Sequence, residues 1–289
     1  MSAWIGIDLG GSKIRAGVVD ADGGVGRTVE ESTDPRRPVA DQLAGIVEAL
    51  AGADGPTGIG IGGAGVPSAG GLASAPNLGE SAGLRDALSA RFGCPVALDN
   101  DVNAAALGEL AAGRGRDVAD FVFVSVGTGV GMGVVSDGRL VRGATGAAGE
   151  IGHLPFGADP LDPASWRRGP LEEVVAGDAL AARDPGAGSA REVFARAAEG
   201  IAASGAALDE EARWLALALA AVRAVVDPAL IVLGGGIGSR PELLALIRPW
   251  LARFGHGDLA VEISELGGDG PLIGAAALVR FALREGTPA

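Results

Sequence analysis

Basic residues are scarce in this chain, and their scarcity limits the partners that it can bind. The 289 residues include 23 lysines and arginines against 36 aspartates and glutamates, which gives a formal net charge of −13 at pH 7. A surface of that charge repels a polyanion, because nucleic-acid binding depends on basic side chains that neutralise phosphates. We therefore expect no nucleic-acid partner, and we expect any bound phosphate to be held by local structure.

Cysteine and long apolar runs are also nearly missing. Cys94 is the one cysteine, so no intramolecular disulfide can form and a cytoplasmic location is expected. The longest apolar run, residues 214–226, contains Arg223 and is too short to span a bilayer, so it predicts a buried helix and no membrane partner. The N-terminus lacks a basic segment and has an acidic residue by position 8, which argues against a secretory signal.

Glycine is abundant, and three glycine-rich turns each follow an apolar strand. They read DLGGSK at 8–13, SVGTGVG at 125–131 and VLGGGIG at 232–238. Glycine lets backbone N–H groups approach a phosphate, and the hydroxyls of Ser12 and Thr128 would add donors. Any one of these turns is equally well explained as a tight hairpin in a chain with 50 glycines. The G-x-x-x-x-G-K-[ST] run of P-loop enzymes does not occur.

The order of these segments repeats along the chain. Strand, glycine turn, strand and acidic hairpin occur over residues 4–31 and again from residue 121. Such a repeat predicts an α/β fold with two similar lobes around a cleft. The stretch AAGRGRD at 111–117 predicts a hinge. It divides the chain into a small lobe at 1–115, against which a C-terminal helix at about 272–289 packs, and a large lobe at 116–271.

Local signals also predict individual helices. Hydrophobic periodicity indicates helices at about 39–50 and 84–92. Two capping boxes, Ser189 with Glu192 and Ser239 with Glu242, predict further helix starts.

The stretch LDNDVNAAALGE, residues 98–109, ends a predicted strand on polar residues and continues as a helix. Asp101 could cap that helix, or it could serve as a general base held rigidly at the end of a strand. The helix N-terminus is expected to lower the pKa of Asp101. The two roles do not exclude each other.

Taken together, the motifs resemble one family. The segments IDLGGSKIRAGVVD, GIGGAGVP, APNLG, DNDVNAAALGE, VSVGTGVGMGVVSDGRLVRGATGAAGEIGH and LIVLGGGIG are similar to the ROK family of sugar kinases and sugar-responsive repressors. The resemblance runs from Ile5 to about Ala277 and implies two actin-like, ribonuclease H-like lobes around a nucleotide and sugar cleft. It also implies an ATP- and Mg²⁺-dependent, glucokinase-like transfer of the γ-phosphate to a hexose hydroxyl. The 6-hydroxyl is the expected acceptor.

The resemblance assigns roles to particular residues. Asp101 is the implied catalytic base, and Asp8 is implied to position Mg²⁺ directly or through water. The implied phosphate and nucleotide contacts are Gly10, Gly11, Ser12, Lys13, Gly127, Thr128, Gly129, Gly234, Gly235 and Gly236. The implied sugar contacts are Asn100, Glu150, His153, Glu172, Gly65 and Asn77, with Glu173 as an alternative to Glu172.

The chain departs from the family at two places. Many members have three cysteines that bind zinc together with the histidine, whereas this chain has Pro163, Ser165 and Pro170 there. No zinc site of that type can form, so something other than zinc must orient His153, and the prolines of this loop would contribute by restricting it. Residues 64–68 also differ from the usual acceptor motif, so the identity of the sugar stays open.

Several functions compete with that of a glucokinase. A kinase for an amino or modified hexose, such as kanosamine or an N-acetylhexosamine, fits the altered acceptor motif. A polyphosphate-dependent glucokinase would also lack the zinc cysteines, although the acidic composition counts against a polyphosphate groove. A sugar-responsive repressor is disfavoured, because repressor members carry a DNA-binding segment before the first phosphate loop and this chain reaches Asp8 at once. A non-catalytic, sugar-binding regulator stays an alternative. The resemblance implies a homodimer.

Overall fold

The computed structural model describes residues 3–53, 55–63, 65–68, 71–73 and 83–285. Their contacts divide them into two units. Unit 1 comprises the described residues within Met1–Asp117, Gly138–Ala147 and Glu265–Ala289, and unit 2 comprises those within Val118–Asp137 and Ala148–Ser264. The units are groups of residues in mutual contact, and the two folding lobes with a boundary near residue 115 stay a prediction.

The secondary structure alternates between strands and helices. The strands are β1 (Trp4–Leu9), β2 (Lys13–Val19), β3 (Val25–Ser32), β4 (Gly58–Gly63), β5 (Val66–Ser68), β6 (Gly71–Ala73), β7 (Val96–Asn100), β8 (Phe121–Val126), β9 (Val130–Ser136), β10 (Arg139–Val141), β11 (Leu230–Gly234) and β12 (Val261–Ile263). The helices are α1 (Val39–Ala51), α2 (Leu84–Phe92), α3 (Asp101–Ala112), α4 (Glu172–Val175), α5 (Gly177–Ala182), α6 (Ala190–Ala198), α7 (Ala202–Val226), α8 (Gly235–Gly238), α9 (Pro241–Arg253) and α10 (Gly270–Glu285).

The first sheet has the strand order β3-β2-β1-β4-β7. β1 is antiparallel to β2 and parallel to β4, and β4 is parallel to β7. Parallel strands end at the same edge of a sheet, so Leu9, Gly63 and Asn100 lie side by side in register. This edge carries the chain segments that begin at Gly10 and Asp101.

The second sheet has the same order of strands, β10-β9-β8-β11-β12. β8 is antiparallel to β9 and parallel to β11, and β11 is parallel to β12. In both sheets three consecutive strands are therefore followed by two parallel ones. The internal repeat and the α/β fold class predicted from the sequence are confirmed.

Alternation along β1 and β4 separates two faces of the first sheet. Ile5, Ile7 and their neighbours are fully buried on the face that packs against α1. The opposite face carries Gly6 and Gly60, which are partners across the two strands. A Cβ on Gly60 would lie 1.7 Å from the carbonyl oxygen of Ala275 in α10. Glycine is required here because α10 packs with its backbone directly on the sheet.

The helix predictions differ in outcome. The predicted helices at 39–50 and 84–92 are confirmed as α1 and α2, and the apolar run at 214–226 lies in α7. Ser189 caps α6 by accepting a hydrogen bond from the N–H of Glu192. The second capping box is wrong: α9 begins at Pro241, and the hydroxyl of Ser239 donates to the carbonyl of Gly235. Proline favours the first helical position, which makes Arg240 the residue before the helix.

Within the described residues, no helix is both long enough and apolar enough to cross a membrane.

Candidate active site

Two of the predicted site residues, Asp8 and Asp101, lie at the carboxyl edge of the first sheet. Asp8 is near the end of β1 and is paired with Gly62 of β4, and Asp101 is the first residue of α3. Asp8 is partly buried and Asp101 is exposed to solvent. The charge of Asp101 acts on the carboxyl of Asp8. The edge of the sheet therefore concentrates negative charge.

Burial shifts the pKa of both carboxyl groups upward. The pKa of Asp8 is raised to about 6, with burial as the largest cause, the charge of Asp101 as a second cause, and Lys13 and Arg15 acting in the opposite direction. Burial also raises the pKa of Asp101, although the N–H groups of Val102 and of Asp101 itself lower it. The expected lowering of this pKa is therefore wrong. Solvent reaches Asp101, but the surrounding protein removes enough hydration to outweigh the helix N-terminus.

The helix cap is made by Asn100 and not by Asp101. The side-chain oxygen of Asn100 accepts a hydrogen bond of 2.6 Å from the N–H of Asn103, and Asp101 occupies the first helical position. The interpretation of Asp101 as a cap is thus wrong. The helix cap therefore does not use the carboxylate of Asp101. The amide nitrogen of Asn100 makes no hydrogen bond within the described residues.

The first glycine turn is a tight hairpin between β1 and β2. The N–H of Gly10 donates to the carbonyl of Lys13 at 2.9 Å, and the carbonyl of Gly10 accepts from the hydroxyl of Thr33. The N–H groups of Gly11 and Ser12 donate no hydrogen bond within the part of the chain that the structure describes. Lys13 is exposed and pairs with Glu30 at 3.1 Å. This hairpin therefore offers free backbone donors close to Asp8.

The second and third glycine turns lie next to each other in unit 2. A Cβ on Gly127 would lie 3.7 Å from the backbone nitrogen of Gly236. Gly235 has φ +80° and sits so close to β8 that a Cβ would lie 2.4 Å from the carbonyl oxygen of Val126. Gly236 is exposed, with open space around it. The two turns thus present an exposed glycine backbone at one place, and the nucleotide contact expected there stays a prediction.

Glu150 and His153 occupy one short turn that follows β10 along the chain. The N–H of His153 donates to the carbonyl of Glu150 at 3.2 Å, and the turn is anchored where the N–H of Met132 donates to Gly149. Both side chains are exposed, whereas Ile151 between them is buried. Two polar side chains therefore face outward from a fixed backbone.

Glu172 braces the second glycine turn. Its Oε2 accepts a hydrogen bond of 2.8 Å from the N–H of Val130, and a Cβ on Gly129 would lie 2.5 Å from that oxygen. The N–H of Leu171 donates to the carbonyl of Gly152, which joins the start of α4 to the turn of Glu150 and His153. It is therefore Glu172, and not Glu173, that reaches the glycine turn.

A sequence model of the ROK family matches residues 4–282 of the chain. The chain belongs to the ROK family. The resemblance predicted from the motifs is thereby confirmed over nearly the whole sequence.

Other ROK members show how far this similarity extends. An N-acetylmannosamine kinase of Citrobacter koseri is 35% identical, with 96% of this chain and 98% of that protein covered. The crystal structure of a ROK hexokinase from Thermus thermophilus has a TM-score of 0.85 at 30% identity, with 97% and 99% covered. A ROK glucokinase from Streptomyces griseus, solved in complex with glucose and AMPPNP, has a TM-score of 0.78 at 30% identity, with 97% and 100% covered.

Backbone hydrogen bonds close the loop around residues 163–170, which lacks the zinc cysteines. The N–H of Gly169 donates to Ser165 at 2.8 Å, and that of Ala158 donates to Pro170 at 3.0 Å. Gly169 has φ +97°, and a Cβ there would lie 2.2 Å from the carbonyl oxygen of Gly152. Backbone contacts therefore fix the loop against the turn that carries His153.

Arg168 is a residue of this loop that the motif comparison missed. Its guanidinium makes two hydrogen bonds of 2.9 Å to Asp178 and one of 3.4 Å to Glu172. No sequence signal identified this contact, because Arg168 lies before α4 and Gly169, with φ +97°, separates it from that helix. Arg168 ties the end of the loop to α4 and α5.

The acceptor wall is described only in part. Asn77 and Ala64 lie outside the described residues, so the predicted sugar contact of Asn77 stays a prediction. Gly65 is described and partly buried, with φ +115°.

The carboxylates of unit 1 fit a hard cation. Within the described residues, no group of three or more His, Cys, Asp or Glu side chains could hold a metal ion alone. Mg²⁺ is commonly held by one or two carboxylates together with substrate phosphates. Asp8, whose charged form is disfavoured by burial and by Asp101, suits such a shared site.

Proposed function

We propose that this ROK protein is an ATP- and Mg²⁺-dependent kinase that transfers the γ-phosphate to the 6-hydroxyl of a hexose. The enzyme class predicted from the sequence, a sugar kinase, is confirmed by membership of the family. The particular hexose, the hydroxyl and the metal are the proposal.

The observation that carries the proposal is the pair of carboxylates at the edge of the first sheet. Asp101 is solvent-exposed, is not used as a helix cap, and is held on the first turn of α3. Asp8 lies near enough for its pKa to respond to the charge of Asp101. A sugar kinase needs one carboxylate for the acceptor hydroxyl and another near the metal that accompanies ATP.

In the proposed reaction, the carboxylate of Asp101 accepts the proton of the 6-hydroxyl. The hydroxyl oxygen bonds to the γ-phosphorus while the bond from that phosphorus to the β-phosphate oxygen breaks, and ADP leaves. A raised pKa makes Asp101 a stronger base than an ordinary aspartate. Mg²⁺ supplies positive charge that neutralises the phosphates and favours the ionised form of nearby Asp8.

The backbone of three turns would hold the phosphates. The free N–H groups of Gly11 and Ser12 are suited to the transferred phosphate, and the turns at 127–129 and 234–236 to the remainder of ATP. The glucokinase solved with AMPPNP supports ATP as the donor.

Three side chains are proposed to orient the sugar. The free amide nitrogen of Asn100 would donate to one hydroxyl, because its oxygen is used by the helix cap. Glu150 would accept from another hydroxyl, and His153 would bind beside it. Glu172 is proposed to reach the sugar from the glycine turn that it braces.

The test also includes a second class of acceptor sugar. The kinase from Citrobacter koseri acts on N-acetylmannosamine by its name and is 35% identical to this chain, so an N-acetylated hexosamine is the alternative substrate. As part of the proposal, the enzyme works in the cytoplasm as a homodimer on free sugar and ATP.

The experiment is a substrate panel with product identification. Purified protein with MgATP is mixed with glucose, mannose, fructose, N-acetylglucosamine, N-acetylmannosamine or kanosamine. ADP release is followed, and the product is identified by ³¹P NMR. We expect sugar-dependent ADP release with a 6-phosphate product. Absence of turnover with every sugar when ATP is the donor would contradict the proposal, and turnover with polyphosphate alone would favour the competing donor.

A further inference from the structure

Asp99 directly precedes two proposed site residues, yet it faces inward. It is 1% exposed, whereas Asn100 is partly buried and Asp101 is exposed. A buried carboxylate persists only where hydrogen bonds and an opposite charge compensate for lost hydration. The groups that compensate Asp99 therefore also constrain the backbone around it.

Three donors converge on the carboxylate of Asp99. The N–H of Asn100 and the Nδ2 of Asn103 each donate to Oδ1 at 2.8 Å. The Nε of Arg142 donates to Oδ2 at 2.7 Å. Arg142 is distant in sequence, but it belongs to segment 138–147 of the same unit. The network thus ties β7 and α3 to that segment.

Asn103 connects this network to the helix cap. Its side chain donates to Asp99, while its backbone N–H donates to the side-chain oxygen of Asn100 at 2.6 Å. Asn103 is 1% exposed, and its amide oxygen has no hydrogen-bond partner among the described residues. Loss of the contact to Asp99 would leave the whole amide group buried and unpaired, which is unfavourable.

We propose that Arg142 is a positioning residue, which through Asp99 fixes the turn that carries Asn100 and Asp101. The inference rests on the proposed function to the extent that Asp101 is the base. The side chain of Arg142 is 47% exposed, whereas that of Asp99 is 1% exposed and depends on the guanidinium to compensate its buried charge. Without the guanidinium, Asp99 is expected to turn toward solvent. That movement takes the acceptor away from the N–H of Asn100 and the side-chain amide of Asn103.

The test uses two readouts on one set of variants. These are Arg142→Met, Asp99→Asn, the double variant, and Arg139→Met as the matched control. Arg139 lies on the same hairpin, is exposed, and has no ion pair in the described structure. The first readout is hydrogen exchange of the amides at residues 100–103. The second is kcat and KM for the sugar found in the panel and for ATP.

Arg142→Met is expected to raise exchange of the Asn100 and Asn103 amides by about tenfold or more. Its kcat should fall by about 30-fold while KM for ATP stays within about twofold, because the base is misplaced and the glycine turns are untouched. Arg139→Met should match the wild type in both readouts.

The double variant provides the rescue. Asp99→Asn alone places an amide nitrogen against Arg142 Nε, so two donors face each other and both readouts should worsen. With Met at 142 the donor is gone, and an asparagine oxygen can still accept from Asn100 and Asn103. We expect the double variant to recover about tenfold in kcat over Arg142→Met and to restore amide protection.

Three results would overturn the proposal. Amide exchange could be unchanged in Arg142→Met, or its effect could be no larger than that of Arg139→Met. The third is a double variant that performs no better than either single variant. If Arg142→Met does not fold, Asp99→Asn and the double variant decide by the same comparison. If the wild type phosphorylates no sugar, the proposed function fails, and the exchange measurements still decide whether Arg142 fixes this turn.

Discussion

Glu211 lies fully buried in α7, where its Oε2 accepts a hydrogen bond from Arg183 Nη1 at 2.7 Å. Its Oε1 has no partner among the described residues. Burial is the largest cause that raises the pKa of Glu211 to about 7. Burial is also the largest cause that raises the pKa values of Asp8 and Asp101. Glu211 therefore tests the effect of burial on a carboxyl group without touching the proposed active site.

We predict that Glu211→Gln gains stability relative to the wild type as the pH rises. Between pH 4.5 and about 7, the unfolded chain loses the proton of Glu211 while the folded chain keeps it, so this group lowers wild-type stability across that window. The loss amounts to about 3 kcal/mol when the shift is converted to free energy. Glutamine does not titrate, so the Glu211→Gln variant should not show this loss of stability.

The measurement is urea unfolding of both proteins from pH 4 to pH 8. Glu210→Gln is the matched control, because Glu210 is 48% exposed at its side chain and leaves Glu211 in place. The control should keep most of the pH dependence. A difference between wild type and Glu211→Gln that is constant with pH, or that changes in favour of the wild type, would contradict the prediction.

At this scale the sequence could not predict which side chain makes the helix cap. The stretch from Asp99 to Asn103 contains four side chains able to cap a helix, and composition cannot tell which one turns toward the helix. Asn100 does so, which frees Asp101. The direction of the Asp101 pKa was also wrong, because burial depends on residues distant in sequence.

At the scale of elements, α10 packs its backbone directly on the first sheet. It packs against β1 and β4 where both strands carry glycine, at Gly6 and Gly60. A Cβ at Gly60 would overlap a backbone carbonyl of α10, which cannot move aside as a flexible side chain could. The spacing of helix and sheet is set by these glycines.

We predict that Gly60→Ala lowers the free energy of unfolding by about 3 kcal/mol or more, as overpacking against backbone does. The midpoint of thermal unfolding should fall by about 6–10 °C. Gly26→Ala is the matched control, since Gly26 also lies in a strand of this sheet but has only one ordinary contact, at 3.7 Å. Its effect should stay within about 0.5 kcal/mol. Equal stability of the two variants would show that α10 does not limit the space at Gly60.

Elements marked by local chemistry were predictable from the sequence. The start of α6 at Ser189 and the ends of apolar strands at glycine turns follow from hydrogen-bonding groups and backbone freedom. The start of α9 was not predictable from the sequence, because Pro241 and the contact of Ser239 with Gly235 override the capping pattern. Arg168 was overlooked because its contacts depend on how the loop without cysteines folds.

For the whole molecule, the repeat in the sequence predicted the repeated strand order. It could not predict that residues 138–147 contact unit 1, since that depends on side chains such as Leu140 packing near α3. Unit 1 supplies Asp8, Asp101 and the first glycine turn. Unit 2 supplies the other two turns together with Glu150 and His153. The central claim concerns unit 1 alone: Asp101 is the base of a sugar kinase.

The most direct test compares Asp101→Asn with the wild type at saturating MgATP and saturating sugar. Asp117→Asn is the matched control, because Asp117 is an exposed carboxylate of the same unit with the same change of charge. Formation of the sugar phosphate is measured, together with the midpoint of thermal unfolding. The account predicts that kcat of Asp101→Asn falls by about 10²–10⁴-fold with no loss of stability and little change in sugar KM, while Asp117→Asn resembles the wild type. An Asp101→Asn protein that keeps more than about a tenth of the wild-type kcat would contradict it.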